Sequence, residues 1–184
     1  MATLTRIFEF DAAHRVMNER VKCFNLHGHR FKVEVTFGYN KKAALGYAID
    51  FKEIKRIVGA YIDEHLDHAC ILNPLDKELI DLCKKNGWRV HTMGMGRNED
   101  INPSAENLAS ELFYIVKQLF IKDRFNIWPT NIRLYETPNC WVDADGWSIV
   151  PMYDFVNDMY DFVNNLNEWR KSKGEMNYDI REEK

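Results

Sequence analysis

The sequence predicts an α+β fold, an antiparallel sheet with helices gathered on one face. Two observations carry this. Stretches of period-two alternation lie near both ends of the chain, and stretches of helical period lie between them, in the order β-β-(β)-α-α-α-β-β-α. The 184 residues, 46% of them hydrophobic, suffice for a real core in one domain with an appended segment. The domain is expected to span residues 1–150, and residues 151–184 to form a helical extension with a charged tail.

The elements follow in order. Leu4–Phe10 alternates and predicts a strand. Arg30–Tyr39 alternates more clearly, with Phe31, Val33, Val35 and Phe37 on one side and Lys32, Glu34 and Thr36 on the other. Asn40–Tyr47 reads as a turn into a short piece, Ala48–Phe51. From Phe51 to His65 the apolar residues Ile54, Ile57, Val58, Tyr61 and Ile62 recur at helical spacing, with Asp50 as the cap. Asp76–Lys85 predicts a shorter helix that stops at Gly87. Trp88–Asp100 reads as a mobile loop. A third helix opens at Pro103-Ser104 and runs to about Lys122, striped by Leu108, Leu112, Ile115, Val116 and Leu119, with Glu106 in the first turn where the helix dipole favours an acid. Asn131–Thr137 predicts another strand. Its expected partner is Trp147–Val150, across a turn at Asp143–Gly146. An amphipathic stretch follows (Tyr153, Val156, Met159, Tyr160, Val163, Leu166), and then a charged, disordered end.

A net charge of −3 and a pI near 6.1 argue against a nucleic-acid binder. No apolar run is long enough to span a membrane. The first ten residues lack the pattern of an export signal. The four cysteines, Cys23, Cys70, Cys83 and Cys140, form no CxxC pair and read as reduced thiols. A cytoplasmic location is therefore expected.

His27-Gly28-His29 places two imidazoles at i and i+2 on the entry to a strand, where both share a face. His14 lies thirteen residues upstream, at the end of the preceding strand. A hairpin would bring all three rings to one ion. Three imidazoles with an open fourth position are the ligand set of a catalytic zinc, whereas a structural site would recruit thiolates as well. An HGH triplet alone could equally be surface or core. The weight comes from half of the six histidines falling within sixteen residues. His65 and His91 read as a helix-end and a loop histidine.

Cys23, four residues before His27, is a candidate base whose thiol the ion could acidify. It could also be a fourth ligand or a small buried residue, and spacing does not separate these. The other three cysteines read as packing residues. Asp67-His68 follows a helix, and in a turn the aspartate could orient the imidazole; otherwise the two are polar helix-end residues. Glu136, at a strand end, could accept hydrogen bonds from a planar heterocycle bearing N–H and NH2 groups, or be a plain strand-end acid.

Together these residues resemble the 6-pyruvoyl-tetrahydropterin synthase superfamily. The matching segments are FDAAHR around His14, CFNLHGH from Cys23 to His29, Asp50-Phe51, LDHACILN around Asp67-His68, NPSAENLA from Asn102 to Ala109, and YET at Glu136. The three-residue spacer Phe24-Asn25-Leu26 is similar to that of the 6-carboxy-5,6,7,8-tetrahydropterin synthases. Pyruvoyl-forming relatives carry longer spacers, and folate-pathway members carry glutamate in place of the cysteine. The resemblance implies the tunnelling fold, a four-stranded antiparallel sheet with helices on one side that closes a barrel as a homo-trimer, often stacked to a homo-hexamer with inter-subunit active sites.

It also implies roles. His14, His27 and His29 would bind Zn2+, Cys23 would be the base, and Asp67 and His68 would relay protons at a neighbouring subunit's zinc. Glu136, supported by Glu106, would hold the pterin. The implied reaction is carbon–carbon lysis of 7,8-dihydroneopterin triphosphate to 6-carboxy-5,6,7,8-tetrahydropterin, acetaldehyde and triphosphate, in queuosine and other deazapurine biosynthesis. The alternatives are 6-pyruvoyl-tetrahydropterin formation and a non-catalytic zinc-binding protein. The stretch from Pro74 to Ile101 and the tail after Val150 depart from the family pattern.

Overall fold

Alternation in the two long strands sets the frame of the fold, which a computed structural model describes for residues 1–120, 126–146 and 160–173. Strands β1 (Ala2–His14) and β2 (His27–Tyr39) pair antiparallel in unbroken register, from Ala2 opposite Tyr39 to His14 opposite His27. Phe31, Val33, Val35 and Phe37 are fully buried, as their spacing predicts. Each such side chain contributes roughly 1.5–3 kcal/mol by leaving water. Both strands extend past their alternating stretches to take in all three histidines, His14 closing β1 and His27 opening β2, as their placement in the sequence predicts.

Among the described residues the sheet has six strands, not four, and it is mixed. Its order is β4-β3-β1-β2-β5-β6, with β3 (Cys70–Leu72), β4 (Val90–Thr92), β5 (Ile127–Thr137) and β6 (Cys140–Ala144). β3 lies parallel to β1, touching it only at Ala13 and His14, and β4 lies parallel to β3. The two short strands fall in segments with too few residues to show a period.

Five helices accompany the sheet among the described residues: α1 (Phe51–Ile54), α2 (Ala60–His65), α3 (Lys77–Asn86), α4 (Ala105–Leu119) and α5 (Tyr160–Ser172). Asp50 caps α1 by accepting the Lys52 N–H. Between α1 and α2 the backbone continues as a wider π-helical stretch, Lys55–Gly59. The piece Ala48–Phe51 forms no strand. Gly87 ends α3 in the left-handed conformation, φ 69°. Ser104 caps α4, as expected. Ile54, Ile57, Leu108, Leu112, Ile115 and Leu119 join the sheet residues in one core. Leu166 of α5 joins the same core.

Further expectations are corrected. β5 pairs with Cys140–Ala144 across a turn at Pro138-Asn139, so the turn lies earlier than Asp143–Gly146; the nearer strand offered the shorter closure. Trp147–Val150 and the boundary at residue 150 lie outside the described residues, as do Tyr153, Val156, Met159 and the charged end. Trp88–Asp100 is not simply a loop, because it contributes β4 and then buries Met93 and Met95 at 0% and 4% exposure. Cys140 is exposed and does not pack. No helix among the described residues is long and apolar enough to cross a membrane.

Candidate functional site

The register that pairs His14 with His27 and Ala12 with His29 puts all three imidazoles on the core face, at the end of the hairpin. Ring centroids lie 4.6 Å apart for His14–His27, 5.2 Å for His14–His29 and 4.9 Å for His27–His29. One ligand atom from each lies within 4.8 Å of the others. Phe31 packs edge-on against both His14 and His29 and walls the site from the core. Gly28 lets the strands approach closely here, since a Cβ there would come within 3.2 Å of the Ala12 carbonyl oxygen.

Backbone carbonyls fix the ring orientations. His14 Nδ1 donates to the Pro103 carbonyl at 2.8 Å, and His27 Nδ1 to the Asn25 carbonyl at 2.7 Å. Each bond leaves Nε2 with its lone pair. His14 Nε2 is buried and has no hydrogen-bond partner. Burial holds the His14 imidazole below its usual pKa, partly opposed by the Pro103 carbonyl and by the Glu136 carboxylate. A neutral imidazole with an orphaned, inward-facing lone pair is what a metal ion needs and what a packed core avoids. The three residues could hold a metal ion.

Glu136 continues the β5 face that carries buried Leu134. One carboxylate oxygen lies 3.4 Å from His14 Nε2 and 3.9 Å from His29 Nε2, beside the three histidines. Cys23 is exposed in a short turn, Lys22–Phe24, whose carbonyl at Cys23 accepts the Val16 N–H. No thiol joins the set of mutually close ligand atoms.

Asp67 and His68 do form a pair. The turn after α2 puts His68 in the left-handed conformation, φ 57°, and its Nδ1 lies 2.8 Å from Asp67 Oδ2. The other Asp67 oxygen accepts the Asp11 N–H, and the His68 N–H donates to the Asp11 carbonyl. His68 is 77% exposed. It sits by Asp11, which is ion-paired with Arg30 across the hairpin on the face opposite the histidines. The structure therefore does not bring this pair to the same chain's three imidazoles. Glu106 is exposed on the first turn of α4, three residues after Pro103.

Sequence reasoning missed the residues that hold the site in place. Asn102 accepts the Met17 N–H and donates to the Met17 carbonyl, tying the loop after β1 to the start of α4. Pro103 and Asn25 act through carbonyls, which carry no side-chain signature. His91, expected in a loop, lies on β4 with Nε2 2.7 Å from the fully buried Glu111 carboxylate.

The family model described as 6-pyruvoyl tetrahydropterin synthase matches residues 3–146. The 6-carboxy-5,6,7,8-tetrahydropterin synthase of Rickettsia felis is 41% identical over 148 residues, covering 78% of this chain and all of that protein. The protein of the same name from Haemophilus influenzae is 30% identical, over 78% of this chain and 98% of its own. Among solved structures, 6-pyruvoyl tetrahydropterin synthase from Caenorhabditis elegans superposes with a TM-score of 0.56 at 22% identity, over 79% of this chain and 95% of that one. An uncharacterized protein from Wolinella succinogenes gives 0.61 at 21% identity, over 79% and 98%. With the match spanning the hairpin, the Asp67-His68 turn and Glu136 alike, the chain belongs to the 6-pyruvoyl tetrahydropterin synthase family.

Proposed function

We propose that the chain converts 7,8-dihydroneopterin triphosphate and one water to 6-carboxy-5,6,7,8-tetrahydropterin, acetaldehyde and triphosphate, as a zinc-dependent carbon–carbon lyase of queuosine and deazapurine biosynthesis. The observation that carries the proposal is the buried, unpartnered Nε2 of His14 aimed at His27 and His29 beside the Glu136 carboxylate. The curated relatives named above support the choice of product.

The donor set fits Zn2+, which accepts three imidazoles and an open position. His14, His27 and His29 would hold the ion, and when bound it would supply Lewis acidity to the substrate's side-chain hydroxyls. Glu136 accepts hydrogen bonds from the amino group and adjacent N–H of the pterin, with Glu106 as support. Cys23 removes a carbon-bound proton. His68, oriented by Asp67, serves the opposite face. Because that pair lies on the far side of its own sheet, it acts in the site of a neighbouring subunit, in a homo-trimer or homo-hexamer located in the cytoplasm. Residues 1–150 form the synthase domain and 151–184 its helical extension.

A closed, non-catalytic zinc site is the competing reading, and the absence of a thiol from the ligand set counts against it. The deciding experiment incubates the zinc-loaded protein with 7,8-dihydroneopterin triphosphate and weighs the pterin product. The 6-carboxy mass is expected. The 6-pyruvoyl mass, or unchanged substrate, would overturn the assignment.

A further inference from the structure

Away from the three histidines, a cavity of about 280 Å3 opens beneath α5. Tyr61 and His65 of α2 and Trp169 of α5 form its aromatic side. The Tyr61 and His65 centroids are 4.5 Å apart, and Trp169 meets Tyr61 edge-on at 5.6 Å. His91 of β4 lines the cavity as well. The family match stops at residue 146, so Trp169 belongs to a part of the chain that the match does not reach.

The polar groups here are arranged, and those of Tyr61 and His65 have no protein partner among the described residues. Both oxygens of buried Glu111 accept, one from His91 Nε2 and one from the Gly94 N–H at 2.7 Å. His91 Nδ1 is therefore an acceptor when the ring is neutral. Tyr61 is 3% exposed, and among the described residues neither its hydroxyl nor the His65 ring nitrogens have a hydrogen-bond partner. Burial keeps His65 below its usual pKa, so that ring too is an acceptor near neutrality. The turn that Glu111 ties down is left-handed at Gly94, Met95 and Gly96, with φ of 85°, 54° and 92°. Met95 is held there against its own preference, and such strain gathers where a ligand is clamped.

We propose that this cavity is a second binding site, for an uncharged planar nitrogen heterocycle of one or two fused rings that bears N–H or amino donors and one acceptor. The aromatic residues contact its faces and edges. Its donors meet His65 and His91, and its acceptor meets the Tyr61 hydroxyl. The volume leaves no room for a phosphate chain, and Glu111 disfavours an anion.

Adenine is the probe, added to the isotope-labelled full-length chain. The Trp169 indole N–H signal is identified by its loss in Trp169→Phe. That signal should shift saturably with adenine. Tyr61→Phe keeps the ring and should weaken binding about five- to tenfold. Leu166→Trp fills the cavity from α5 and should abolish binding. His27→Ala, which removes a proposed zinc ligand, should leave adenine binding intact. The proposal is overturned if millimolar adenine leaves the Trp169 signal in place, if Tyr61→Phe binds as tightly as the parent, or if His27→Ala loses adenine, which would put the ring at the three-histidine cleft.

Discussion

At the scale of single residues, the site divides into groups that would hold a metal and groups that would not, and substitution separates them. The purified protein is expected to carry about one zinc per chain. His27→Ala removes one of three donors and should abolish retention, read by metal analysis. Stoichiometric zinc in that variant would place the ion elsewhere. Cys23→Ala should keep its zinc, because no thiol joins the ligand set, yet lose roughly 10²–10⁴-fold in turnover as a missing base would. Glu136→Gln keeps the shape but presents a donor where the pterin also donates. Leaving a buried group unpaired costs roughly 1–3 kcal/mol, so pterin affinity should fall about ten- to a hundredfold in a fluorescence titration, with zinc unchanged. The three histidines were legible in the sequence because period two forces His27 and His29 onto one face. The orienting carbonyls of Pro103 and Asn25 were not, since any residue supplies a carbonyl.

At the scale of elements, capping and docking contacts make predictions of their own. Asp76 caps α3 through the Leu79 N–H and also holds Arg15 with two hydrogen bonds, of 2.5 and 2.6 Å. Asp76→Ala removes the cap and leaves the Arg15 guanidinium the exposed Glu78 carboxylate, at 3.5 Å, as its acceptor, a loss of about 1–3 kcal/mol. Urea unfolding should show a lower midpoint at unchanged slope; an unmoved midpoint would mean that Arg15 finds another partner. Helix α5 is anchored by Glu64, which accepts from Lys173 and from Trp169 Nε1. The hydrogen bond from Lys173 first, then that from Trp169, holds the Glu64 carboxyl below its usual pKa. A depressed folded pKa stabilises above the unfolded value, and the contribution is lost as pH falls through the folded one. Protection factors across residues 160–173, the exchange rates corrected for the intrinsic rate at each pH, should therefore fall as pH drops through the carboxylate range and stay constant above it. The long strands and the capped helices were readable from period and cap residue. β3 and β4 were not, because three residues show no period and parallel pairing leaves no local turn to recognise.

At the scale of the whole molecule, the C-terminal helix is part of the body it packs on. Leu166 lies in the main core, and Trp169 covers Tyr61. Deleting residues 160–184 should lower the melting temperature by several degrees, about 2–4 °C for each kcal/mol lost in a chain of this size. The proposed assembly is least open to single-chain reasoning, and its one trace in the chain is that β1 pairs with β3 only at its last two residues. Along Ala2–Ala12 that edge meets no strand among the described residues, and Ile7 is 52% exposed. Such an edge seeks a partner. His68, turned from its own histidines by the Asp67 turn, gives this arrangement a genetic consequence. If each catalytic centre borrows its proton donor from next door, two dead proteins can make a live one. Cys23→Ala and His68→Ala chains, inactive alone, should regain part of the activity once unfolded together and refolded as mixtures, because some mixed assemblies contain one centre with both groups intact. Dilution should have the opposite effect, silencing even the unaltered protein as its subunits part.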